Sequence, residues 1–314
     1  MAVTFSAVSS PAVDPALPGC ATKRSTGLAL IVLARPWQWV KNGLVLAPLV
    51  FSHQLFNPHE VMLAGVAFLA FCAWSSFAYV LNDIADREVD RLNPEKRDRP
   101  MACGDLTVPQ AVRFALVLGG FATCLGIALG FPFLAIAALY VALQFGYSLW
   151  AKHYVILDVI AVAAGFVLRA FAGGVAIDAE VSPWLAFITF MLAMLLVLAR
   201  RRHELVAMGE GATAHRAVLG QYSIRLLDQM LAIVAGATLI SYMIYTASPE
   251  VEAKLGTPHL YLTVPFVAFG ILRYLYLVDA RNEGGDPARL LLRDRPLLLT
   301  VMLWIAADVI LLYV

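Results

Sequence analysis

Nine long apolar stretches constrain this chain more than any other feature of its sequence. Each approaches the roughly 20 residues that an α-helix needs to cross a hydrocarbon layer about 30 Å thick. The backbone in lipid must satisfy its own hydrogen bonds, and the stretches are evenly apolar rather than alternating, so helices are predicted rather than barrel strands. The sequence thus predicts an all-α polytopic membrane protein, a bundle of about nine transmembrane helices. They lie near 38–56, 60–82, 108–128, 131–150, 156–177, 183–200, 226–247, 258–279 and 296–313.

Positive charge is distributed unevenly among the predicted loops. Nineteen of the 23 Lys and Arg residues precede the first stretch or lie in the loops after the second, fourth, sixth and eighth. Cytoplasmic loops carry the excess of Lys and Arg in multi-pass proteins. We therefore expect a cytoplasmic amino terminus, a cell (inner) membrane location, and any site built from these loops to face the cytoplasm. The net charge of +1 does not indicate nucleic acid as a partner.

The chain is predicted to hold a single membrane domain after a short leader. Residues 1–26 are rich in Ala, Ser and Pro, which is typical of disorder. Residues 27–314 contain no linker long enough to divide the bundle. We expect 27–314 to form one transmembrane catalytic domain.

A carboxylate cluster follows the second apolar stretch. On a helix, Asp83, Asp86 and Asp90 are three and four residues apart, with Asn82 one turn before Asp86, so their oxygens would share one face. Carboxylate and amide oxygens are hard ligands that suit Mg²⁺, with substrate phosphates completing its shell. The pattern predicts a magnesium and phosphate site at a membrane face; the alternative is a solvated loop whose acids and bases pair.

The second basic loop offers Tyr147, Lys152 and Asp158. Together these side chains are predicted to face a phosphorylated ligand. Alternatively, Lys152 is only a charge that anchors the topology. Asp158 would then be a helix amino-terminal charge stabilised by the helix dipole.

Further cations lie within or beside the apolar stretches. Arg169 falls in the middle of the fifth, where a charge is costly unless it meets a partner or a polar cavity. We interpret Arg169 as a functional residue; the alternative is a structural salt bridge to another helix. Arg201 and Arg202 open the third basic loop, where three successive arginines also suit a topology signal. Lys41 and Asn42 follow two tryptophans at the predicted inner interface.

At these residues the chain resembles the UbiA superfamily of intramembrane prenyltransferases, which have nine helices and an Asn-Asp-x-x-Asp-x-x-x-Asp loop after helix two. Within it the chain looks like the decaprenyl-phosphate phosphoribosyltransferase branch. The matching segments are 35–42, 82–100, 147–174, 201–205 and 281–287.

This resemblance implies transfer of 5-phosphoribosyl from phosphoribosyl diphosphate (PRPP) to a polyprenyl phosphate with Mg²⁺. Asp83, Asp86 and Asp90 would hold the metal, and these three with Lys152 and Asp158 would form the catalytic group. The implied substrate-binding residues are Lys41, Asn42, Asn82, Arg87, Arg97, Tyr147, Arg169, Arg201 and Arg202.

One departure from the prenyltransferase pattern bears on the substrate. Members that use prenyl diphosphates resemble one another in having two Asp-rich motifs, whereas here the second keeps only Asp158 beside Lys152. The departure favours a sugar diphosphate donor. A prenyltransferase with an aromatic or quinone-type acceptor, and a lipid transporter or flippase, remain the competing hypotheses. Assembly as a homo-oligomer is left open.

Overall fold

The computed structural model describes residues 24–92, 96–208 and 217–313, and these contain helices and turns but no strand. The predicted leader lies outside the described residues up to residue 23, while Ser25 already caps the first helix. The helices are α1 (Thr26–Ala34), α2 (Ala47–Phe51), α3 (Pro58–Ala85), α4 (Arg87–Leu92), α5 (Pro100–Cys103), α6 (Val108–Leu129), α7 (Phe131–Leu149), α8 (Leu157–Ala176), α9 (Pro183–Met208), α10 (Ile224–Thr246), α11 (Pro249–Leu255), α12 (Val264–Ala280), α13 (Pro287–Arg293) and α14 (Arg295–Tyr313).

Eight of these helices are long and apolar enough to cross a membrane, namely α3, α6, α7, α8, α9, α10, α12 and α14. They correspond to the second to ninth predicted stretches, mostly within a few residues at each end. The all-α, multi-pass prediction is confirmed. The predicted ends are accurate because the apolar length of a membrane helix is a local property of the sequence.

The first predicted stretch, 38–56, differs because the chain there is not one α-helix and α2 already ends at Phe51. Helix α1 ends at Ala34, and a 3-10 helix spans Pro36–Leu46 before α2 begins. Arg35 between them has a left-handed backbone with φ of 54°. Pro36 has no N–H group to continue α1, and it disfavours the helical conformation in the residue before it. The break turns polar side chains of this segment inward.

The 3-10 segment lies against α8 at very close range. A Cβ atom on Gly173 would stand 1.9 Å from the carbonyl oxygen of Val45. Only glycine lets the two backbones approach this closely, as small residues commonly do where membrane helices cross. Gly173 therefore places the 3-10 segment on α8.

Replacement of Gly173 by Ala is expected to destabilise the bundle. The new methyl group must push two backbones apart, and overpacking of this kind costs about 1–3 kcal/mol. The thermal unfolding midpoint in detergent should fall. Gly236→Ala in α10 is the matched control, because its Cβ would meet nothing within 4 Å. An unchanged midpoint for Gly173→Ala would contradict the close packing.

Helix α8 lies between the two largest apolar cores. Its first turn contributes Val159 to a core formed with α9, α10, α12, α13 and α14. Its last turns contribute Ala172 and Ala176 to a core formed with the 3-10 segment, α3, α6 and α7. The helix that carries Asp158 and Arg169 is thus held from both sides.

The last helix holds a carboxyl group that the sequence reading overlooked. Asp308 is 1% exposed, and neither of its carboxylate oxygens has a hydrogen-bond partner among the described residues. Its position inside an apolar stretch was the available signal, since ionisable groups are rare there. A buried, unpartnered carboxyl group lowers stability.

Replacement of Asp308 by Asn is expected to raise the thermal midpoint, because an uncharged amide of the same shape costs less to bury than a carboxylate. We expect a gain of about 1–3 kcal/mol. Asp105→Asn is the matched control, and it should lower the thermal midpoint because Asp105 pairs with Arg24 at 3.0 Å. A lower midpoint for Asp308→Asn would mean that this carboxyl group has a stabilising partner.

Candidate active site

Polar side chains from several helices meet at one end of the bundle, which we call the basic face. It is formed by residues 82–92, 96–107, 147–158, 200–205 and 278–294. Ser148 Oγ donates to Asn82 Oδ1 at 3.2 Å and so links the end of α7 to the end of α3. His203 Nδ1 lies 2.5 Å from the carbonyl oxygen of Asn282, which ties the loop after α12 to α9.

Asp83 and Asp90 form a buried carboxylate pair at this face. Helix α3 ends at Ala85 and α4 begins two residues later, which places both side chains inward, 2% and 4% exposed. Arg99 Nη1 lies 3.2 Å from Asp83 Oδ1 and 2.7 Å from Asp90 Oδ2. Burial raises the pKa of Asp90, and the charges of Arg99 and Lys96 oppose that rise. The two carboxylates are therefore held together by a cation.

Asp86 is separate from that pair. It caps the end of α3, and its Oδ2 accepts a hydrogen bond from Asn82 Nδ2 at 2.9 Å. The predicted single face of three carboxylates is thus divided, because the chain leaves α-helical geometry at Asp86. Within the described ranges, no three His, Cys, Asp or Glu side chains converge as a metal site. Two carboxylates still suit Mg²⁺, which commonly binds one or two together with substrate phosphates.

Asp158 lies in a second buried network. Arg201 Nε donates to Asp158 Oδ2 at 2.7 Å, and Tyr222 OH donates to Oδ1 at 2.8 Å. Arg201 also donates to Glu204 Oε2 at 2.8 Å and to Tyr147 OH at 3.1 Å. Burial is the main cause that raises the pKa of Tyr222, and the Asp158 charge adds to it. Asp158 is therefore fully engaged by protein groups.

Arg169 and Asn42, both predicted substrate-binding residues, are joined to each other. Arg169 Nε donates to Asn42 Oδ1 at 2.8 Å, and its Nη2 donates to Tyr140 OH at 2.7 Å. Its Nη1 donates to the Gly165 carbonyl oxygen at 2.8 Å. The considered alternative was a salt bridge, but these partners are all uncharged. The network links α7 and α8 to the 3-10 segment.

Arg202 points to a different side of α9 from Arg201. Its Nε lies 2.6 Å from Asp228 Oδ1, and its Nη2 lies 2.7 Å from Asp279 Oδ1. These bonds connect α9 to α10 and α12. Two of the arginines predicted to contact phosphate are thus committed to carboxylates.

Three predicted cations have no hydrogen bond or ion pair with the part of the chain that the structure describes: Lys41, Lys152 and Arg97. Among the described residues, Arg87 pairs with its exposed neighbour Glu88 alone, at 3.0 Å. Arg216, a further basic residue of the third loop, lies outside the described residues. The free cations are the ones available to a phosphate group.

The sequence reading missed several side chains that complete the site. Arg35 Nη2 lies 2.5 Å from Asp83 Oδ1, and Arg99 bridges the carboxylate pair. Both lie in segments that match the family, but the sequence assigned neither of them to a carboxylate. Tyr222 and Glu204 were not assigned to Asp158 and Arg201. Local spacing carries no signal for such pairs, since Arg35 and Asp83 are 48 residues apart.

An all-α membrane bundle with carboxylates and guanidinium groups gathered at one end is the arrangement expected of an intramembrane enzyme that acts on phosphorylated lipids. The chain belongs to the UbiA prenyltransferase family, whose model matches residues 43–298. This confirms the family that the sequence resembles.

Two relatives cover nearly the whole chain. A Corynebacterium glutamicum protein named decaprenyl-phosphate phosphoribosyltransferase is 32% identical over 295 residues, which are 91% of this chain and 87% of that protein. A Mycolicibacterium smegmatis protein of the same name is 30% identical over 307 residues, 93% of this chain and 95% of that protein.

Among solved structures, a UbiA homolog from Archaeoglobus fulgidus bound to GPP and Mg²⁺ superposes with a TM-score of 0.66. It is 20% identical, and the match covers 91% of this chain and all of that one. At this identity the likeness supports the fold.

Proposed function

We propose that this protein transfers 5-phosphoribosyl from PRPP to a polyprenyl phosphate, decaprenyl phosphate, and releases diphosphate. The observation that carries the proposal is the similarity over nearly the whole chain to relatives named decaprenyl-phosphate phosphoribosyltransferase. The second basic loop supports it. Asp158 is the one acid in residues 147–158, where members that use prenyl diphosphates have an Asp-rich motif, and it is bound by Arg201 and Tyr222.

The donor diphosphate is assigned to the carboxylate pair. Asp83 and Asp90 would hold Mg²⁺, with Asp86 and Asn82 adjacent. When bound, the metal supplies charge neutralisation for the leaving diphosphate. Asn82 is oriented for this by its bonds to Asp86 and Ser148. Arg87, at the start of α4, is assigned to an outer phosphate oxygen, for which it would leave its exposed partner Glu88.

The acceptor phosphate is assigned to the free cations Lys41, Lys152 and Arg97. A phosphate monoester has a second pKa of about 6, so it is largely ionised at neutral pH and needs positioning rather than deprotonation. No general-base histidine is then required. Attack of its oxygen on ribose C1, opposite the departing diphosphate, forms one C–O bond as another breaks.

The remaining predicted residues serve mainly to position the site. Arg201 holds Asp158 and Tyr147 in place, and Arg202 fixes α9 against two neighbours. Arg169 and Asn42 hold the 3-10 segment, and with it Lys41, against α8. We place the ribose beside Tyr147, which Arg201 links to Asp158.

The site is proposed to face the cytoplasm of a cell (inner) membrane. The excess of Lys and Arg lies at the basic face, which is where cytoplasmic loops are expected. A water-soluble donor would reach the carboxylate pair from that side, while the lipid acceptor approaches within the membrane. One domain, residues 27–314, carries all of these groups.

The direct test is incubation of the purified protein in detergent with Mg²⁺, PRPP and decaprenyl phosphate. We expect a phosphoribosylated lipid by mass spectrometry, and none when Mg²⁺ is replaced by a chelator. A parallel incubation replaces PRPP with geranyl diphosphate and an aromatic acceptor. Turnover there, without the phosphoribosylated lipid, would establish the prenyltransferase instead. If neither product forms and the protein moves lipid across vesicle membranes, the result would indicate a flippase.

A further inference from the structure

Two arginines bind the carboxylate pair that is assigned to the metal, through one oxygen of each carboxylate. Asp83 Oδ1 receives Arg35 Nη2 at 2.5 Å and Arg99 Nη1 at 3.2 Å. The same Nη1 lies 2.7 Å from Asp90 Oδ2, and Lys96 Nζ lies 3.9 Å from Asp90 Oδ1. Two carboxylates are thus shared by two guanidinium groups and a nearby amine.

The arginines lie on the outer side of the pair. Their side chains are 19% and 27% exposed for Arg35 and Arg99, against 2% for Asp83 and 4% for Asp90. Arg35 is held at the break before the 3-10 segment, with its guanidinium carbon 5.1 Å from the centre of the Tyr79 ring. Arg99 immediately precedes α5. A group that approaches the buried carboxylates from the loop side meets these two arginines first.

A divalent cation and these guanidinium groups compete for the same oxygens. Mg²⁺ binds carboxylate oxygens at about 2.0–2.1 Å and demands near-octahedral geometry. A metal ion that bridges Asp83 and Asp90 would need the position between them that the Arg99 guanidinium group takes, and its double charge repels nearby guanidinium groups. We therefore expect metal binding to displace Arg99 from the pair and to weaken the contact of Arg35 with Asp83 Oδ1.

We propose that Arg35 and Arg99 leave Asp83 and Asp90 when the metal binds and then bind the substrate diphosphate. The planar, permanently charged guanidinium group suits phosphate oxygens in the same fork geometry as carboxylates. Diphosphate thereby supplies new partners for the displaced arginines. The ligand that the site takes is the preformed metal–diphosphate complex, and the free metal ion binds weakly. This inference rests on the proposed function only in assigning metal and diphosphate to Asp83 and Asp90.

The test measures Mn²⁺ binding to the full chain in detergent by electron paramagnetic resonance, with and without inorganic diphosphate. For the unchanged protein we expect diphosphate to tighten Mn²⁺ binding by at least about tenfold. This factor is calculated after subtracting the Mn²⁺ that diphosphate binds in solution without protein. Arg99→Gln removes the competitor. It should bind Mn²⁺ alone about tenfold more tightly and lose most of the enhancement by diphosphate.

Arg91→Gln is the matched control. Arg91 lies in the same loop but contacts Glu88 and the Ala102 carbonyl oxygen instead of the carboxylate pair. Its Mn²⁺ affinity should equal that of the unchanged protein. Arg35→Gln is a second test that does not depend on the folding of Arg99→Gln, and circular dichroism checks the helix content of each variant. A merely structural role for either arginine would lower Mn²⁺ affinity, whereas the proposal requires a rise.

Equal Mn²⁺ affinities for the unchanged protein and both arginine variants, without diphosphate, would overturn the inference and leave the proposed function intact. Failure of the proposed function looks different. Asp83→Asn and Asp90→Asn would then bind Mn²⁺ and diphosphate as the unchanged protein does. That result would remove the metal assignment on which both rest.

Discussion

Asp83→Asn is expected to reduce phosphoribosyl transfer by about 10²- to 10³-fold, the effect of losing one preorganised electrostatic contact at a reacting group. Asp83 Oδ1 is where Arg35 and Arg99 converge, and Asp83 is 1% exposed. An amide of the same shape keeps the packing but removes the negative charge that would hold Mg²⁺. The loss should therefore appear in turnover rather than in folding.

The measurement is the initial rate of lipid product formation over a range of Mg²⁺ concentrations. Glu88→Gln is the matched control, because Glu88 is an exposed acid of the same loop that pairs with Arg87 and Arg91. Its rate should stay within about twofold of the unchanged protein, as expected for a surface pair. Near-normal turnover by Asp83→Asn would remove this residue from the metal site.

Arg201→Met is expected to destabilise the bundle by about 3–5 kcal/mol, since breaking a buried ion pair leaves an uncompensated charge. Of its side-chain partners among the described residues, Asp158, which is completely buried, would keep Tyr222 alone. Asp158→Asn should cost less, because Arg201 retains Glu204 and Tyr147. Arg201→Met should therefore cost more stability than Asp158→Asn, because the Asp158 charge is left with fewer partners than the Arg201 charge.

Thermal unfolding in detergent measures both losses. Arg200→Met is the matched control: its side chain is 50% exposed and pairs only with Glu204 among the described residues, so it should change stability by less than about 1 kcal/mol. The double variant Asp158→Asn/Arg201→Met should be more stable than Arg201→Met alone, because no buried charge remains unpaired. A double variant as unstable as the sum of the single ones would argue that the two side chains act independently.

The helices could be predicted closely because each depends on a continuous apolar segment. Helix α6 was expected over 108–128 and is Val108–Leu129; α14 was expected over 296–313 and is Arg295–Tyr313. The exception is 38–56. Its composition is apolar enough, but the chain forms a 3-10 helix to Leu46 and then only the short helix α2, and the Gly173 contact holds the 3-10 segment against α8. Hydropathy does not report such a break.

The candidate site was predicted in composition but not in connectivity. Asp83 and Asp90 are predicted to lie together and do so. Asp86 is predicted to join them but instead accepts a hydrogen bond from Asn82. Arg201 was expected to be free for phosphate and instead holds Asp158. Helical spacing predicted the contact of Asn82 with Asp86, whereas Asp83 and Asp90 lie on two helices and meet through Arg99 because α3 ends within the motif.

The amino-acid sequence alone determined that this chain spans a membrane many times and that its acids and bases gather at one end, since hydropathy and charge act over neighbouring residues. Only the tertiary structure decided which acid meets which base. Arg169 and Asn42 are 127 residues apart, and Arg201 and Asp158 are 43 apart. Such pairs form because helix packing brings their side chains into a buried space where an unpartnered charge is costly.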